Sequence, residues 1–122
     1  MPKKVLLADD EELVRNYITR ALSSRGFSVR TVDDGAAAVA AIEKEDFDVV
    51  ICDLKMPDLR GEEVIKKLKA LRPGAKVIVI TGSVSNISSH LVPGTEVDGV
   101  LIKPFGIGEI RDLVEKITKA GS

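Results

Sequence analysis

Three aspartates in this 122-residue chain could act together on a phosphoryl group. Asp9 and Asp10 form an adjacent pair, and Asp53 stands alone, each directly after a short apolar run. Brought together, three carboxylates would repel one another and raise each other's pKa. A divalent cation would relieve that repulsion, and Mg²⁺ prefers oxygen ligands and commonly joins carboxylates to a phosphate. The three aspartates therefore predict a Mg²⁺ site, provided that the fold brings them together.

Three residues farther along the chain complete this chemistry. Lys103 offers a positive charge that can hold a phosphate, and Thr81 offers a hydroxyl donor. The backbone amide of Gly82 could approach a phosphoryl oxygen closely, because glycine has no Cβ. These groups would stabilise the charge on a phosphoryl group during its transfer. Asp53 would be the nucleophile, since an aspartyl phosphate is a recognised covalent intermediate.

The elements that must position these residues alternate regularly along the chain. Apolar runs rich in Val, Ile and Leu predict strands buried in a parallel sheet, at residues 5–8, 29–32, 49–52, 77–80 and 100–102. Apolar residues at helical spacing predict helices at 11–25, 35–45, 61–71 and 107–119. The second strand contains Arg30 and Thr31, which favours an edge position. The serine-rich stretch 83–97 predicts a short helix at best.

This alternation indicates one α/β domain, a parallel sheet covered by helices on both faces. Right-handed crossovers would place the carboxyl ends of all strands along one edge, where such folds bind ligands. Because Asp9, Asp10, Asp53, Thr81 and Lys103 all follow strands, we expect them to meet there. We expect the domain to span residues 1–122.

The composition argues against several other functions. A net charge of −1, from 18 basic and 19 acidic residues, and 3% aromatic residues give no surface for direct nucleic acid binding. The single cysteine, Cys52, excludes a disulfide within the chain. The first apolar run is too short for a signal peptide or a membrane span. We therefore expect a cytoplasmic protein with no membrane partner.

The ordered set of motifs resembles the response-regulator receiver family of two-component signalling. It comprises Asp9-Asp10, Asp53, Met56-Pro57, Gly61, Thr81 and Lys103-Pro104-Phe105, and the resemblance runs from Val5 to about Lys119. It implies a five-stranded parallel sheet in the flavodoxin-like order 2-1-3-4-5. It also implies that Asp53 receives its phosphoryl group from a phosphohistidine, on a sensor histidine kinase or a histidine phosphotransfer protein. The phosphorylated domain would then act on a downstream protein or on an output domain missing from these residues.

The family pattern also implies roles for individual residues. Mg²⁺ would be bound directly by Asp10, Asp53 and the backbone carbonyl of Lys55, and by Asp9 largely through a water. Thr81 would swing toward the phosphoryl group and Lys103 would pair with it. One position departs from the pattern, since Val100 stands where the family usually has a tyrosine or phenylalanine that rotates with the threonine. We expect phosphorylation to survive this change, whereas the readout could differ.

Other interpretations stay open at this point. Asp9 could cap the first helix in a capping box with Glu12, and Lys103 could be an ordinary surface lysine. A phosphatase with an aspartyl nucleophile is a competing function. Enzymes of that dehalogenase-like kind carry a second aspartate two residues after the nucleophile, where this chain has Lys55. A receiver-like module that binds partners without phosphorylation is the other alternative, and Val100 is the residue that supports it. The favoured interpretation is a regulatory domain that catalyses its own phosphorylation and dephosphorylation, and not an enzyme with turnover on free substrates.

Overall fold

A computed structural model describes residues 3–56, 58, 61–82 and 97–120 of the chain. Five strands alternate with four helices in this part of the chain. The strands are β1 (Lys4–Ala8), β2 (Ser28–Val32), β3 (Val49–Asp53), β4 (Lys76–Thr81) and β5 (Gly99–Ile102). The helices are α1 (Glu12–Ser23), α2 (Gly35–Lys44), α3 (Gly61–Leu71) and α4 (Ile107–Ala120). The predicted elements are confirmed to within two residues at each end.

The strands form one parallel sheet in the order β2-β1-β3-β4-β5, as the resemblance implied. The edge position of β2 is confirmed, and its side chains are exposed or half-buried, in contrast to β3, which is buried throughout. The order reverses at β1, so the first and third strands lie side by side at the centre. Their carboxyl ends therefore flank the crevice at which such sheets bind ligands.

Two apolar cores lie on opposite faces of the sheet, because successive side chains of a strand point to opposite faces. Leu6 of β1 belongs to the core under α2 and α3, and its neighbour Leu7 belongs to the core under α1 and α4. Both side chains are fully buried. The helices thus cover both faces of the sheet.

Helix α1 ends at Ser23 and is followed by a tight turn at Gly26. Gly26 has φ of +87°, a left-handed conformation that glycine adopts without a Cβ penalty. The amide of Phe27 donates to the carbonyl of Leu22 at 3.2 Å, and Phe27 packs against the core between α1 and α4. This turn directs the chain into β2.

Two site residues belong to the strands themselves and do not follow them. Asp53 is the last residue of β3 and Thr81 the last of β4.

The stretch that was predicted to form a short helix at best lies mostly outside the described residues, at positions 83–96. Pro57 also lies outside them. No helix in the described part combines the length and apolar character needed to cross a membrane.

Candidate functional site

The carboxyl edge of the sheet brings the predicted site residues around one cavity. Asp9 follows β1, and Lys103 follows β5. Asp53 is the last residue of β3, and Thr81 is the last residue of β4. The cavity has a volume of about 360 Å³ and is lined by Asp10, Glu11, Asp53, Lys55, Thr81, Gly82 and Lys103. The prediction that these strand ends meet is therefore confirmed.

Lys103 is directed into this cavity and is not a free surface lysine. Its amide donates to the carbonyl of Thr81 at 2.8 Å, which continues the β4–β5 pairing past the end of β5. Its Nζ lies 3.2 Å from Asp53 Oδ2 and 3.8 Å from Asp9 Oδ2. The peptide bond to Pro104 is cis. Lys103 thus supplies the positive charge beside Asp53 that phosphoryl chemistry needs.

The closest partner of the Lys103 ammonium is Glu11, a residue that the sequence analysis did not assign to the site. Glu11 Oε1 lies 2.6 Å from Lys103 Nζ. Burial alone would lower the pKa of Lys103. The hydrogen bond to Glu11 and the charge of Asp53 outweigh burial, so the pKa is raised above its usual value. The ammonium therefore stays charged at neutral pH.

Asp53 is held by donors on both of its carboxylate oxygens. The side chain is nearly buried, and Oδ1 accepts a hydrogen bond from the Lys55 amide at 2.9 Å while Oδ2 faces Lys103. The backbone on either side is also fixed, because the Leu54 amide donates to Ile80 and the Gly61 amide donates to Leu54. The nucleophile predicted from the sequence therefore has a defined orientation.

Asp9 is fully buried, although it is a carboxylate. Its Oδ1 accepts a hydrogen bond from the Glu11 amide at 2.8 Å, whereas Oδ2 has no hydrogen-bond donor among the described residues. Burial raises the pKa of Asp9 from 3.8 to about 6; the bond from Glu11 opposes the rise and the charge of Asp53 adds to it. Helix α1 begins at Glu12 with Glu11 as its N-cap, so the capping box suggested for Asp9 does not form.

The acidic residues at this edge are arranged to hold a cation. One carboxylate oxygen from each of Asp9, Asp10, Glu11 and Asp53 lies within 4.8 Å of the others. Within the described ranges Asp9 Oδ2 accepts no hydrogen bond, and Lys103 Nζ lies 3.8 Å away, so a closer cation would compensate the burial of this carboxylate. Carboxylate oxygens are the ligands that Mg²⁺ prefers. The donor set thus fits Mg²⁺, and Glu11 belongs to the same acidic cluster while its carboxylate contacts Lys103.

The remaining residues singled out in the sequence lie partly inside and partly outside the lining of the cavity. Thr81 is nearly buried and, like Gly82, lines the cavity. A Cβ added at Gly82 would meet no atom within 4 Å, so the backbone there does not itself require a glycine. Cys52 is fully buried and packs as a small apolar residue. Val100 is half-buried against the core under α2 and α3 and is not among the cavity's lining residues.

A comparison with family models identifies the kind of domain that this site belongs to. The model for the response regulator receiver domain matches residues 5–115. The chain belongs to the response regulator receiver family. It is therefore a receiver domain of the kind found in two-component response regulators, and the resemblance noted in the sequence is confirmed.

Individual relatives agree with this assignment. The chain is 32% identical over 117 residues to the response regulator receiver protein CpdR of Brucella abortus, covering 96% of this chain and 95% of CpdR. It is 34% identical over 111 residues to the probable transcriptional regulatory protein TcrX of Mycobacterium tuberculosis, covering 89% of this chain. There the match spans 47% of TcrX, about half of that relative's length.

Among solved structures, the chain is similar to the response regulator protein TrrA of Thermotoga maritima. The two superpose with a TM-score of 0.84 at 29% identity, covering 94% of this chain and 98% of TrrA. That structure is a complex of TrrA with Mg²⁺–BeF. The receiver fold of the present chain thus has a solved counterpart at nearly full length.

Proposed function

We propose that the 122-residue chain is a single phosphoacceptor domain of a two-component or phosphorelay system, in which Asp53 receives a phosphoryl group. The observation that carries the proposal is the position of Lys103, whose Nζ lies 3.2 Å from Asp53 Oδ2 in a cavity beside the acidic cluster. A nucleophilic carboxylate, a fixed ammonium and a cation-binding cluster are the parts that phosphoryl transfer to an aspartate requires.

The proposed reaction transfers the phosphoryl group from a phosphohistidine nitrogen to a carboxylate oxygen. An Asp53 oxygen attacks phosphorus as the bond between phosphorus and the imidazole nitrogen breaks, and the bonding electrons remain on that nitrogen. Lys103 offsets negative charge on the phosphoryl oxygens, because its ammonium already faces Asp53. Thr81 and Gly82 line the same cavity, and the Thr81 hydroxyl and the Gly82 amide would donate to those oxygens.

Asp9, Asp10 and Asp53, with the backbone carbonyl of Lys55, are the proposed magnesium-holding groups. When bound, Mg²⁺ would neutralise charge on the carboxylates and on the phosphoryl oxygens and allow them to approach. Asp9 Oδ2, which accepts no hydrogen bond from the part of the chain that the structure describes, supports this proposal, and so does the TrrA complex with Mg²⁺–BeF. The protein's own contribution is to orient Asp53, through the Lys55 amide, and to keep Lys103 charged.

The domain is proposed to act in the cytoplasm as a switch and not as an enzyme on free substrates. Its donor would be a sensor histidine kinase or a histidine phosphotransfer protein. Phosphorylation would favour one of two conformations, since a ligand shifts an equilibrium toward the state that it binds better. The favoured state would present a surface to a downstream protein or to an output domain.

Intact-mass spectrometry tests this proposal directly. The protein is incubated with Mg²⁺ and acetyl phosphate, alongside Asp53→Asn, with a parallel sample in EDTA. We expect a single phosphoryl addition to the wild type and none to the variant or in EDTA. Asp58→Asn is a matched control from the segment that follows β3 and should still be modified. Modification of Asp53→Asn to the wild-type extent would disprove the site assignment.

A partner-binding module without phosphorylation is the second candidate, and Val100 is the observation that favours it. If the wild type gains no phosphoryl group, binding of beryllofluoride in the presence of Mg²⁺ separates the two functions. A stable complex would indicate a phosphoryl group that forms and is rapidly lost. Mg²⁺ binding without beryllofluoride binding would support the module that lacks phosphorylation.

A further inference from the structure

Glu11 and Lys103 form the shortest ion pair that contacts the cavity among the described residues. Glu11 Oε1 is 2.6 Å from Lys103 Nζ, whereas Asp53 Oδ2 is 3.2 Å and Asp9 Oδ2 is 3.8 Å from the same nitrogen. The ammonium is therefore shared, and its closest partner is not the proposed phosphoacceptor.

The backbones of both partners are tied to the site. The Glu11 amide donates to Asp9 Oδ1, and the Lys103 amide donates to the Thr81 carbonyl. The side chain of Glu11 is nevertheless 58% exposed, and that of Lys103 is 26% exposed. An exposed pair of this kind gains little net stability from its charges. The contact is thus well placed and still weak enough to be broken by a competing anion.

We propose that Glu11 is a positioning residue that holds Lys103 partly away from the phosphoryl group and so limits how tightly the site binds one. The proposal deepens the proposed function and rests on it, because it assumes a phosphoryl group on Asp53. Nothing in the sequence distinguishes Glu11 from its neighbour Glu12 for this role; the 2.6 Å contact does.

The physical basis is competition between anions for one ammonium. Lys103 has three N–H donors, of which Glu11 and Asp53 already receive one each. A phosphoryl group on Asp53 adds a nearly doubly charged anion within reach of the same nitrogen. Its oxygens must draw Lys103 from Glu11, or share Lys103 with a carboxylate that repels them. Either route makes the phosphoryl-bound state less favourable than it would be without Glu11.

Beryllofluoride titration at saturating Mg²⁺ measures this competition in the whole protein. Glu11→Gln keeps the shape of the side chain and removes its charge, and it should bind beryllofluoride roughly three- to tenfold more tightly than the wild type. Glu12→Gln is the matched control. It removes one charge from the adjacent exposed residue in the first turn of α1 and should bind as the wild type does.

Titration with Mg²⁺ alone separates positioning from a general change in the site. Glu11→Gln removes a carboxylate from the acidic cluster and lets Lys103 move closer to Asp53, so Mg²⁺ should bind more weakly. A variant that merely damaged the structure would weaken both ligands. Opposite changes for Mg²⁺ and for beryllofluoride are therefore the signature of the proposed role.

Glu11→Asp separates the contact from the charge. The aspartate keeps the charge and is one methylene shorter, so it should lose the 2.6 Å contact. It should bind beryllofluoride more tightly than the wild type and less tightly than Glu11→Gln. Wild-type affinity in Glu11→Asp would assign the effect to charge alone and overturn the positioning role.

Failure of this inference can be told from failure of the proposed function. If Glu11→Gln binds beryllofluoride no more tightly than Glu12→Gln, while the wild type binds it and is phosphorylated, the inference is wrong and the function stands. If the wild type binds Mg²⁺ but neither binds beryllofluoride nor gains a phosphoryl group, the proposed function is wrong, and the role of Glu11 is refuted with it.

Discussion

The first residue of α3, Gly61, packs directly against the backbone of Asp53. A Cβ added at Gly61 would lie 2.8 Å from the carbonyl oxygen of Asp53 and 2.9 Å from the Cα of Leu54. Both neighbours are backbone atoms of a buried segment and cannot move aside alone. The glycine therefore allows α3 to begin immediately beside the proposed phosphoacceptor.

Gly61→Ala should lower the free energy of unfolding by about 1–3 kcal/mol, as overpacking against fixed atoms does. Gly108→Ala is the matched control, because Gly108 also lies in the first turn of a helix and an added Cβ there would meet nothing within 4 Å. Gly108→Ala should be neutral or stabilising, since alanine favours helices over glycine. Urea unfolding of both variants measures the difference. Equal stability of the two variants would mean that the segment after Asp53 can shift to accommodate the added methyl group without a loss of stability.

Asp58 links the segment that follows Asp53 to the start of α2. Its two carboxylate oxygens accept hydrogen bonds from the amides of Gly35 and Ala36, at 2.8 and 2.9 Å. The N-cap residue Asp34 accepts from the next amide, that of Ala37. Three of the amides that a helix leaves unsatisfied at its N-terminus are thus satisfied by carboxylates.

Asp58→Ala should destabilise the protein by about 1 kcal/mol, the usual cost of losing a helix cap. Asp33→Ala provides the comparison, because it removes an exposed carboxylate from just before the same helix. It should have a smaller effect, limited to the interaction with the helix dipole. Thermal unfolding at constant ionic strength detects the difference. A loss of stability in Asp33→Ala as large as in Asp58→Ala would assign the effect to charge and not to the hydrogen bonds.

The sequence was sufficient to predict the elements and to bring the residues at the strand ends to one edge of the sheet. Strands that are buried on both faces of a parallel sheet are nearly continuous apolar runs, and helices that are buried on one face have apolar residues at helical spacing. Both patterns can be recognised within a short segment of the sequence. Asp53, Thr81 and Lys103 could be brought together before the structure was known, because parallel strands all end at one edge. That inference needed only the order of the elements and no side-chain geometry.

Two features of the site depend on geometry that no local pattern carries. The sequence linked Glu12, and not Glu11, to Asp9. In the structure Glu11 has an extended backbone before α1, and its side chain lies against Lys103, 92 residues away. Likewise, Asp9 is a polar residue by type, and its complete burial follows from its place between neighbouring strands and the start of α1. Contacts between distant segments are set by packing, which spacing alone does not specify.

Val100→Tyr should leave phosphorylation by acetyl phosphate within about twofold of the wild-type rate, because Val100 does not line the cavity that holds the reacting groups. Val100 pairs with Val79 across β4 and β5 and packs against the core under α2 and α3, outside the cavity lining. Thr81→Ala is the contrasting variant, and the loss of its hydroxyl should slow the reaction about tenfold or more. Initial rates come from intact-mass spectrometry at several time points. A Val100→Tyr rate as low as that of Thr81→Ala would place Val100 in the reaction itself.

The buried carboxyl of Asp9 should make the metal-free protein less stable as the pH rises. Its pKa is raised from 3.8 to about 6, so between these values the native state binds more protons than the unfolded chain. The free energy of unfolding therefore gains a contribution at low pH that is lost as the pH rises through about 6. The side chain introduced by Asp9→Asn cannot ionise. In EDTA the free energy of unfolding of this variant should be about 1–2 kcal/mol higher than that of the wild type near neutral pH, and the difference should shrink toward pH ~4. Asp10→Asn removes an exposed carboxylate from the same cluster and controls for charge repulsion alone. Urea unfolding across this pH range measures the free energy of unfolding of all three proteins. If the wild type is as stable as Asp9→Asn near neutral pH, the burial of the Asp9 carboxylate is compensated within the protein.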